Sequence, residues 1–242
     1  MEKPEPKVGP RKKMLAWGVH FFTALGIVPA LLAIIAVGEG QWRAAYLWLF
    51  VALVIDGVDG TLARLTSVEI VLPRMSGKMI DTVIDFTTYA IIPAYFFFQA
   101  DLGPPGWNMV LAALMLVVAV LYYGKEGMIA ASMHFVGFPV LWNVVVFFLF
   151  FVFNLPPWAN AALIVLFSVL HFVPLRYAYP SRALRWQAVT LLVSASGLLA
   201  ALGLIWTYPR ELFWMKAVTL VSLVYFAGLV VIDSFLTPRA RS

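Results

Sequence analysis

Four aspartates lie close together in an otherwise apolar part of this sequence, at Asp56, Asp59, Asp81 and Asp85. The whole protein of 242 residues has only 12 acidic side chains. On α-helices, Asp56 and Asp59 share a face at a spacing of i, i+3, and Asp81 and Asp85 share one at i, i+4. If the two helices pack side by side, four carboxylates converge, and their mutual repulsion requires a cation between them.

Hard divalent cations fit such a cluster because they prefer oxygen ligands, commonly a few carboxylates together with substrate phosphates. Two such ions can clamp a diphosphate and stabilise the charge that develops on a leaving phosphate. One carboxylate can instead act as a general base toward an acceptor hydroxyl. We therefore expect a divalent cation, Mn²⁺ or Mg²⁺, as the cofactor.

Two other interpretations of the aspartates stay open. Acids inside a membrane are costly and usually functional, but they can also be structural partners of nearby cations, here Arg64, Arg74 and Lys78. They can also belong to an ion or proton pathway, as in an ion-coupled transporter. The position of the acids argues against a pathway, because they cluster at one end of their helices and do not line a span.

The composition indicates a membrane protein. Hydrophobic residues make up 63% of the chain and charged residues 12%, against about 25% charged residues in soluble domains. The mean hydropathy is +0.92. The sequence has no cysteine, which excludes disulfides, thiolate nucleophiles and cysteine metal sites. The net charge of +5 bears on topology and anionic lipid, so no nucleic-acid partner is expected.

The apolar segments predict an all-α, polytopic membrane bundle of about eight transmembrane helices. A flexible basic tail over 1–13 and a short basic tail over 237–242 flank a single transmembrane domain over 14–236. Both acid pairs lie at the same membrane side, flanking the loop 66–76. No strand-like alternation is long enough to matter. The predicted spans are 14–37, 42–65, 77–98, 107–123, 138–153, 158–176, 185–206 and 212–236.

The placement of lysine and arginine predicts the orientation of these spans. With the N-terminus inside, all but three of the 17 basic residues fall on the inner side; the exceptions are Arg43, Arg210 and Lys216. This distribution obeys the positive-inside rule. We therefore expect both termini, the acid cluster and the loops 66–76, 124–137 and 177–184 on the cytoplasmic side.

The residues around the aspartates carry a family resemblance. Asp-x-x-Asp-Gly-x-x-Ala-Arg over 56–64 and Gly-x-x-x-Asp-x-x-x-Asp over 77–85 fill every position of a motif. This motif resembles the signature of the CDP-alcohol phosphatidyltransferases. The spacer 65–76 is longer than is usual in that family and resembles that of the bacterial phosphatidylcholine synthases. Three further segments resemble the same subgroup: Val19–Ala24, Phe135–Pro139 with Trp142 and Asn143, and Phe172–Arg176.

The resemblance implies an integral enzyme of the bacterial inner (cytoplasmic) membrane, with its active site facing the cytoplasm. Its substrates would be CDP-diacylglycerol and choline, and its products would be phosphatidylcholine and CMP. The enzyme would be a homodimer. Such an enzyme is a CDP-diacylglycerol–choline O-phosphatidyltransferase. Serine, glycerol phosphate or inositol as acceptors would use the same metal machinery, so a different acceptor stays open.

The resemblance also implies roles for individual residues. The four aspartates would bind the divalent ions, with Asp85 also the base. Gly60, Ala63 and Gly77 would give the CDP group close backbone approach. Arg64 would face phosphate, which suits a guanidinium group.

Choline is a quaternary ammonium without an N–H group, so aromatic faces and a nearby anion must recognise it. Aromatic side chains are also common at membrane interfaces without any such role. The candidates toward the cytoplasmic side are Tyr89, Tyr122, Tyr123, Glu126 and Trp142.

Overall fold

The computed structural model describes residues 9–125, 134–178 and 186–236. This part of the chain forms two compact units, one extending to Ile92 and the other beginning at Pro93. The organisation of 14–236 as a single domain remains a prediction.

The first unit contains both helices that carry the aspartates. A π-helical turn over Thr87–Ile91 follows the last of its helices. Helix α3 ends where Ser67 adopts a left-handed conformation with φ 51°, and α5 begins after Ser76, whose hydroxyl oxygen accepts the Met79 N–H at 3.2 Å. The helices are α1 (Pro10–Ala24), α2 (Ile27–Gly38), α3 (Trp42–Thr66), α4 (Val68–Val71) and α5 (Gly77–Phe86).

Helix α1 differs from the prediction at both ends. It begins at Pro10, because proline is favoured in the first turn; residues 10–13, predicted as part of the flexible tail, are therefore helical. The first predicted span is also divided between α1 and α2 at Leu25 and Gly26. A Cβ on Gly26 would lie 3.3 Å from Ile84 of α5 and 3.6 Å from Ile55 of α3, so the absence of a side chain lets this break lie close to both helices.

Helix α1 is the common neighbour of the two helices that carry the acids, because it packs against α3, α4 and α5. Its contact with α4 is a small apolar core of Ala16, Val19, Val68 and Val71. Helix α2 packs along α3. Through these contacts, α1 brings its own side chains next to the aspartates.

The second unit begins within a helix that follows the π-helical turn, α6 (Ile92–Gln99). Helix α7 packs on α9, and α10 packs on α11. Two three-residue strands, β1 (His134–Val136) and β2 (Arg176–Ala178), pair antiparallel; neither strand was predicted. The remaining helices are α7 (Asn108–Tyr123), α8 (Trp142–Phe147), α9 (Pro157–Leu170), α10 (Gln187–Thr207) and α11 (Phe213–Val231), with π-helical turns over Phe148–Val152 and Ile232–Leu236.

The fold is that of an all-α integral membrane protein. Within the described residues, four helical stretches are long and apolar enough to cross a bilayer: Pro10–Gly38, Trp42–Thr66, Gln187–Thr207 and Phe213–Phe235. Helices also occupy the other predicted positions, but α7 has 16 residues and α9 has 14. Both are shorter than the roughly 20 residues that span a hydrocarbon core. The eight crossings and the side of each terminus therefore remain predictions.

Candidate functional site

Three of the four predicted aspartates come together in the first unit. Asp56 of α3 and Asp81 and Asp85 of α5 offer carboxylate oxygens that all lie within 4.8 Å of one another. Each of the three side chains is half-buried. Asp81 and Asp85 lie one turn apart on the same face of α5, as their spacing predicted.

The spacing of these oxygens suits a divalent cation. Magnesium binds oxygen at 2.0–2.1 Å, so ligands on opposite sides of the ion lie about 4.2 Å apart. The three carboxylate oxygens all lie within 4.8 Å of one another, so they are close enough to serve as ligands of one such ion. They fill only part of a six-ligand shell, so positions remain for phosphate oxygens or water.

Asp59 lies outside this close group. It follows Asp56 by one turn of α3 and is buried, with 6% of its surface exposed. The hydroxyl of Thr23, on α1, lies beside its carboxylate. Asp59 is nevertheless near enough to Asp56 and Asp81 for their charges to repel. The metal role predicted for Asp59 therefore stays a prediction.

Tyr89 joins the cluster through a hydrogen bond. Its hydroxyl donates to Asp56 Oδ2 at 2.9 Å. Tyr89 continues the four-residue spacing of Asp81 and Asp85 into the π-helical turn, so it reaches across to α3 from the same side of the helix. A donor from a second helix fixes the orientation of the Asp56 carboxylate. Of the five choline candidates, this one contacts the acid cluster.

The residues predicted to approach the nucleotide have different surroundings. At Gly60, the neighbour of an added Cβ would be Arg64 Nη1, at an ordinary 3.5 Å. Arg64 is exposed and donates to Thr61 Oγ1 at 3.0 Å. Ala63 is half-buried and packs against the core between α1 and α4. At Gly77, a Cβ would lie only 3.0 Å from Cε1 of His20.

The other choline candidates belong to the second unit or lie outside the described residues. Trp142 is fully buried and stacks on the His171 ring at a centroid distance of 5.1 Å. Tyr122 is also buried and meets the same ring edge-on at 5.4 Å. Tyr123 is half-buried, and Glu126 lies outside the described part of the chain. Their roles toward choline remain predictions.

His20 and Thr23 were not predicted as site residues. Both lie in the segment Val19–Ala24, which was noted only for its resemblance. The signal in the sequence is the polarity of the pair, since His20 and Thr23 are one turn apart on α1 within an apolar stretch. His20 is 4% exposed, and its Nε2 atom has no hydrogen-bond partner among the described residues.

The fold and the cluster define an integral membrane protein with a carboxylate site suited to a divalent cation. No protein-family model matches the chain. The chain is 34% identical to the phosphatidylcholine synthase of Pseudomonas aeruginosa over 220 residues, which cover 91% of this chain and 92% of that protein. It is 38% identical to that of Bradyrhizobium diazoefficiens over 206 residues, covering 84% and 76%. It is also 38% identical to that of Mesorhizobium japonicum over 200 residues, covering 79% and 74%.

The chain therefore belongs to the phosphatidylcholine synthase family. It is a membrane phosphatidyltransferase of phospholipid biosynthesis, and the resemblance to the bacterial phosphatidylcholine synthases is confirmed.

Proposed function

We propose that this protein condenses CDP-diacylglycerol with choline to give phosphatidylcholine and CMP, with a divalent cation as cofactor. The observation that carries the proposal is the group of three carboxylates, Asp56, Asp81 and Asp85, within 4.8 Å of one another in a helical membrane protein. The relatives support the choice of choline, because the proteins to which the chain is similar are named phosphatidylcholine synthases.

The aspartates have two tasks in this proposal. Asp56, Asp81 and Asp85, together with Asp59, hold Mn²⁺ or Mg²⁺, which when bound neutralises the diphosphate and stabilises the leaving CMP. Asp85 accepts the proton of the choline hydroxyl. The choline oxygen then bonds to the phosphorus that bears diacylglycerol, and the bond from that phosphorus to the oxygen bridging to CMP breaks.

The polarity of the site gives the substrate a direction. The start of α5 follows a loop with the exposed residues Arg74 and Ser76, and Lys78 is exposed beside Gly77. Beyond Asp85, the chain becomes apolar through Ile91–Phe98. Since the acyl chains stay in the bilayer and cytidine is hydrophilic, the nucleotide lies toward the start of α5.

The nucleotide contacts follow from that direction. Gly60, Ala63 and Gly77 admit the CDP group closely, because small residues leave backbone within reach of a ligand. The exposed Arg64 guanidinium, one turn beyond Gly60, turns from Thr61 toward a phosphate.

Choline binds where an aromatic ring adjoins negative charge. Tyr89 supplies a ring that is hydrogen-bonded to Asp56, and a cation over such a ring gains about 0.5–2 kcal/mol. Tyr122, Tyr123, Glu126 and Trp142 are the further candidates. Because Tyr122 and Trp142 are packed around His171, they contact choline only if that packing opens.

The proposed topology has eight crossings, both termini in the cytoplasm and the site facing the cytoplasm of a bacterial inner membrane. It is supported by helices at each predicted span and by the bias of lysine and arginine toward one side. We also propose a homodimer, on the resemblance to the family alone.

An acceptor panel tests the function. The purified protein is given CDP-diacylglycerol, a divalent ion and one radiolabelled acceptor: choline, serine, glycerol phosphate or inositol. We expect label in lipid with choline. If serine outcompetes choline, the acceptor is wrong and only phosphatidyl transfer stands. If no acceptor is incorporated and labelled ions cross proteoliposomes instead, the protein is a transporter.

A further inference from the structure

His20 is a buried polar side chain with an unsatisfied nitrogen. It is 4% exposed, and Nε2 has no hydrogen-bond partner among the described residues. A buried polar atom without a partner destabilises a fold, so nearly all such atoms are paired. An apolar side chain would fill the same space without that cost. Of the buried side-chain atoms without a hydrogen-bond partner in the described residues, that of His20 is the one in the first unit, where the aspartates lie.

The surroundings of His20 connect it to the aspartate site. Its ring contacts Trp17 edge-to-face at a centroid distance of 6.2 Å, and its Cε1 lies 3.0 Å from where a Cβ of Gly77 would be. Gly77 precedes Asp81 by one turn of α5. The next turn of α1 carries Thr23, which lies beside Asp59. Gly77 and Asp81 are about 6 Å apart along the axis of α5, and His20 and Thr23 are about 4.5 Å apart along that of α1.

His20 lies on the side of the aspartate cluster where α5 begins. Gly77 is the first residue of α5 and adjoins the polar loop, whereas Asp85 leads into the apolar part of the chain. A ligand held between the carboxylates and the loop must pass the Gly77 end. In CDP-diacylglycerol the acyl chains stay in the bilayer, so the part that extends toward the loop is the nucleotide.

We propose that His20 contacts the nucleotide of CDP-diacylglycerol, with Nε2 hydrogen-bonded to the cytidine, and that Gly77 leaves room for the imidazole ring. This inference rests on the proposed function, because it requires a CDP-linked substrate. A neutral imidazole can donate or accept at Nε2, so ribose hydroxyls and the edge of cytosine are both suitable partners.

The proposal is tested by the affinity of the full-length protein for CMP. This affinity is measured by equilibrium binding and by the shift that CMP causes in the unfolding temperature. His20→Phe keeps a ring but removes the nitrogens, and His20→Gln keeps a hydrogen-bonding group. We expect His20→Phe to weaken CMP binding about tenfold and to raise the KM for CDP-diacylglycerol similarly, with the KM for choline unchanged. His20→Gln should recover part of the loss. Should His20→Phe fail to fold, His20→Leu replaces it.

Val19→Ala is the matched control, since Val19 is the neighbouring buried residue of α1 and packs toward α4. It should lower the unfolding temperature but leave CMP affinity unchanged. Binding of dCMP and UMP shows which part of the nucleotide His20 contacts. If His20→Phe loses the preference for CMP over dCMP, the contact is to the ribose. If it loses the preference for CMP over UMP, the contact is to the base.

Two results overturn the inference. One is CMP binding by His20→Phe as tight as that of the parent; the other is an equal rise of both KM values, which indicates a purely structural role. If the parent itself does not bind CMP, the proposed function fails rather than this inference alone.

Discussion

The hydroxyl of Tyr89 donates a hydrogen bond of 2.9 Å to the carboxylate of Asp56, on a different helix. Such a bond orients a metal ligand, and losing one commonly weakens metal affinity or activity by 10–100-fold. We therefore expect Tyr89→Phe to raise the Mg²⁺ or Mn²⁺ concentration needed for half-maximal activity about tenfold. A metal titration of the purified variant measures this. An unchanged titration curve would show that the bond does not support metal binding.

Removal of the Tyr89 ring separates this role from choline recognition. Tyr89→Phe keeps an aromatic face, so its KM for choline should match that of the parent. Tyr89→Leu removes the face and should raise that KM about tenfold. Tyr95→Leu makes the same change at a half-buried tyrosine that is not among the choline candidates and serves as the control. A KM for choline that is equal in Tyr89→Leu and the parent would exclude Tyr89 from the choline site.

The aspartates should not be equivalent. Asp56→Asn and Asp81→Asn each remove a charge from the close group, and we expect at least a hundredfold loss of activity, partly restored at high metal concentration. Asp59→Asn, outside that group, should also weaken binding of metal and nucleotide, but less than Asp81→Asn does. Among variants that still bind CMP, Asp85→Asn should show the largest loss of kcat, because it removes the base.

Glu69→Gln is the control for these variants, since it neutralises an exposed acid on α4 and should keep full activity. Chelation should abolish the activity of the parent. A fully active Asp81→Asn, or robust activity in chelator, would be incompatible with a metal site at this cluster.

Gly77 and His20 should depend on one another. Gly77→Ala places a methyl group 3.0 Å from the His20 ring, so it should weaken CMP binding. In a His20→Ala background the ring is absent, and the same change should cost much less if packing is the reason for glycine. If Gly77→Ala costs equally in both backgrounds, as measured by CMP affinity, then Gly77 acts on the nucleotide directly and not through His20.

The side of the membrane can be tested with single cysteines, because the chain has none of its own. A cysteine at Ser67, in the segment between the acid helices, should react with an impermeant maleimide only in inverted vesicles. A cysteine at the exposed Pro105, in a loop predicted outside, should react in intact cells. Labelling of Ser67→Cys from outside would reverse the orientation and separate the site from cytosolic choline.

Much of the helical fold was predictable, because long apolar runs form helices and charged or Pro/Gly-rich segments separate them. The break at Gly26 was not, since it depends on a close approach to Ile55 and Ile84 that hydropathy does not reveal. The pairing of β1 with β2 was also missed. Strands of three residues are too short to show an alternating pattern.

The site was predictable where it depends on helical spacing. The intervals between Asp81, Asp85 and Tyr89 place all three on one face, and the structure brings them to Asp56. The burial of Asp59 beside Thr23 and the contact of His20 with Gly77 were not predicted. Both depend on α1 packing against α3 and α5, and the sequence alone does not reveal which helix is the third neighbour.

The proposed reaction transfers one phosphatidyl group to choline for each CMP released. The direct measurement is the simultaneous quantification of CMP and phosphatidylcholine formed by the purified protein from CDP-diacylglycerol, with and without choline. We predict equal amounts of both products, formed only when choline and a divalent ion are present. Release of CMP without choline, or consumption of choline without release of CMP, would contradict phosphatidyl transfer to choline.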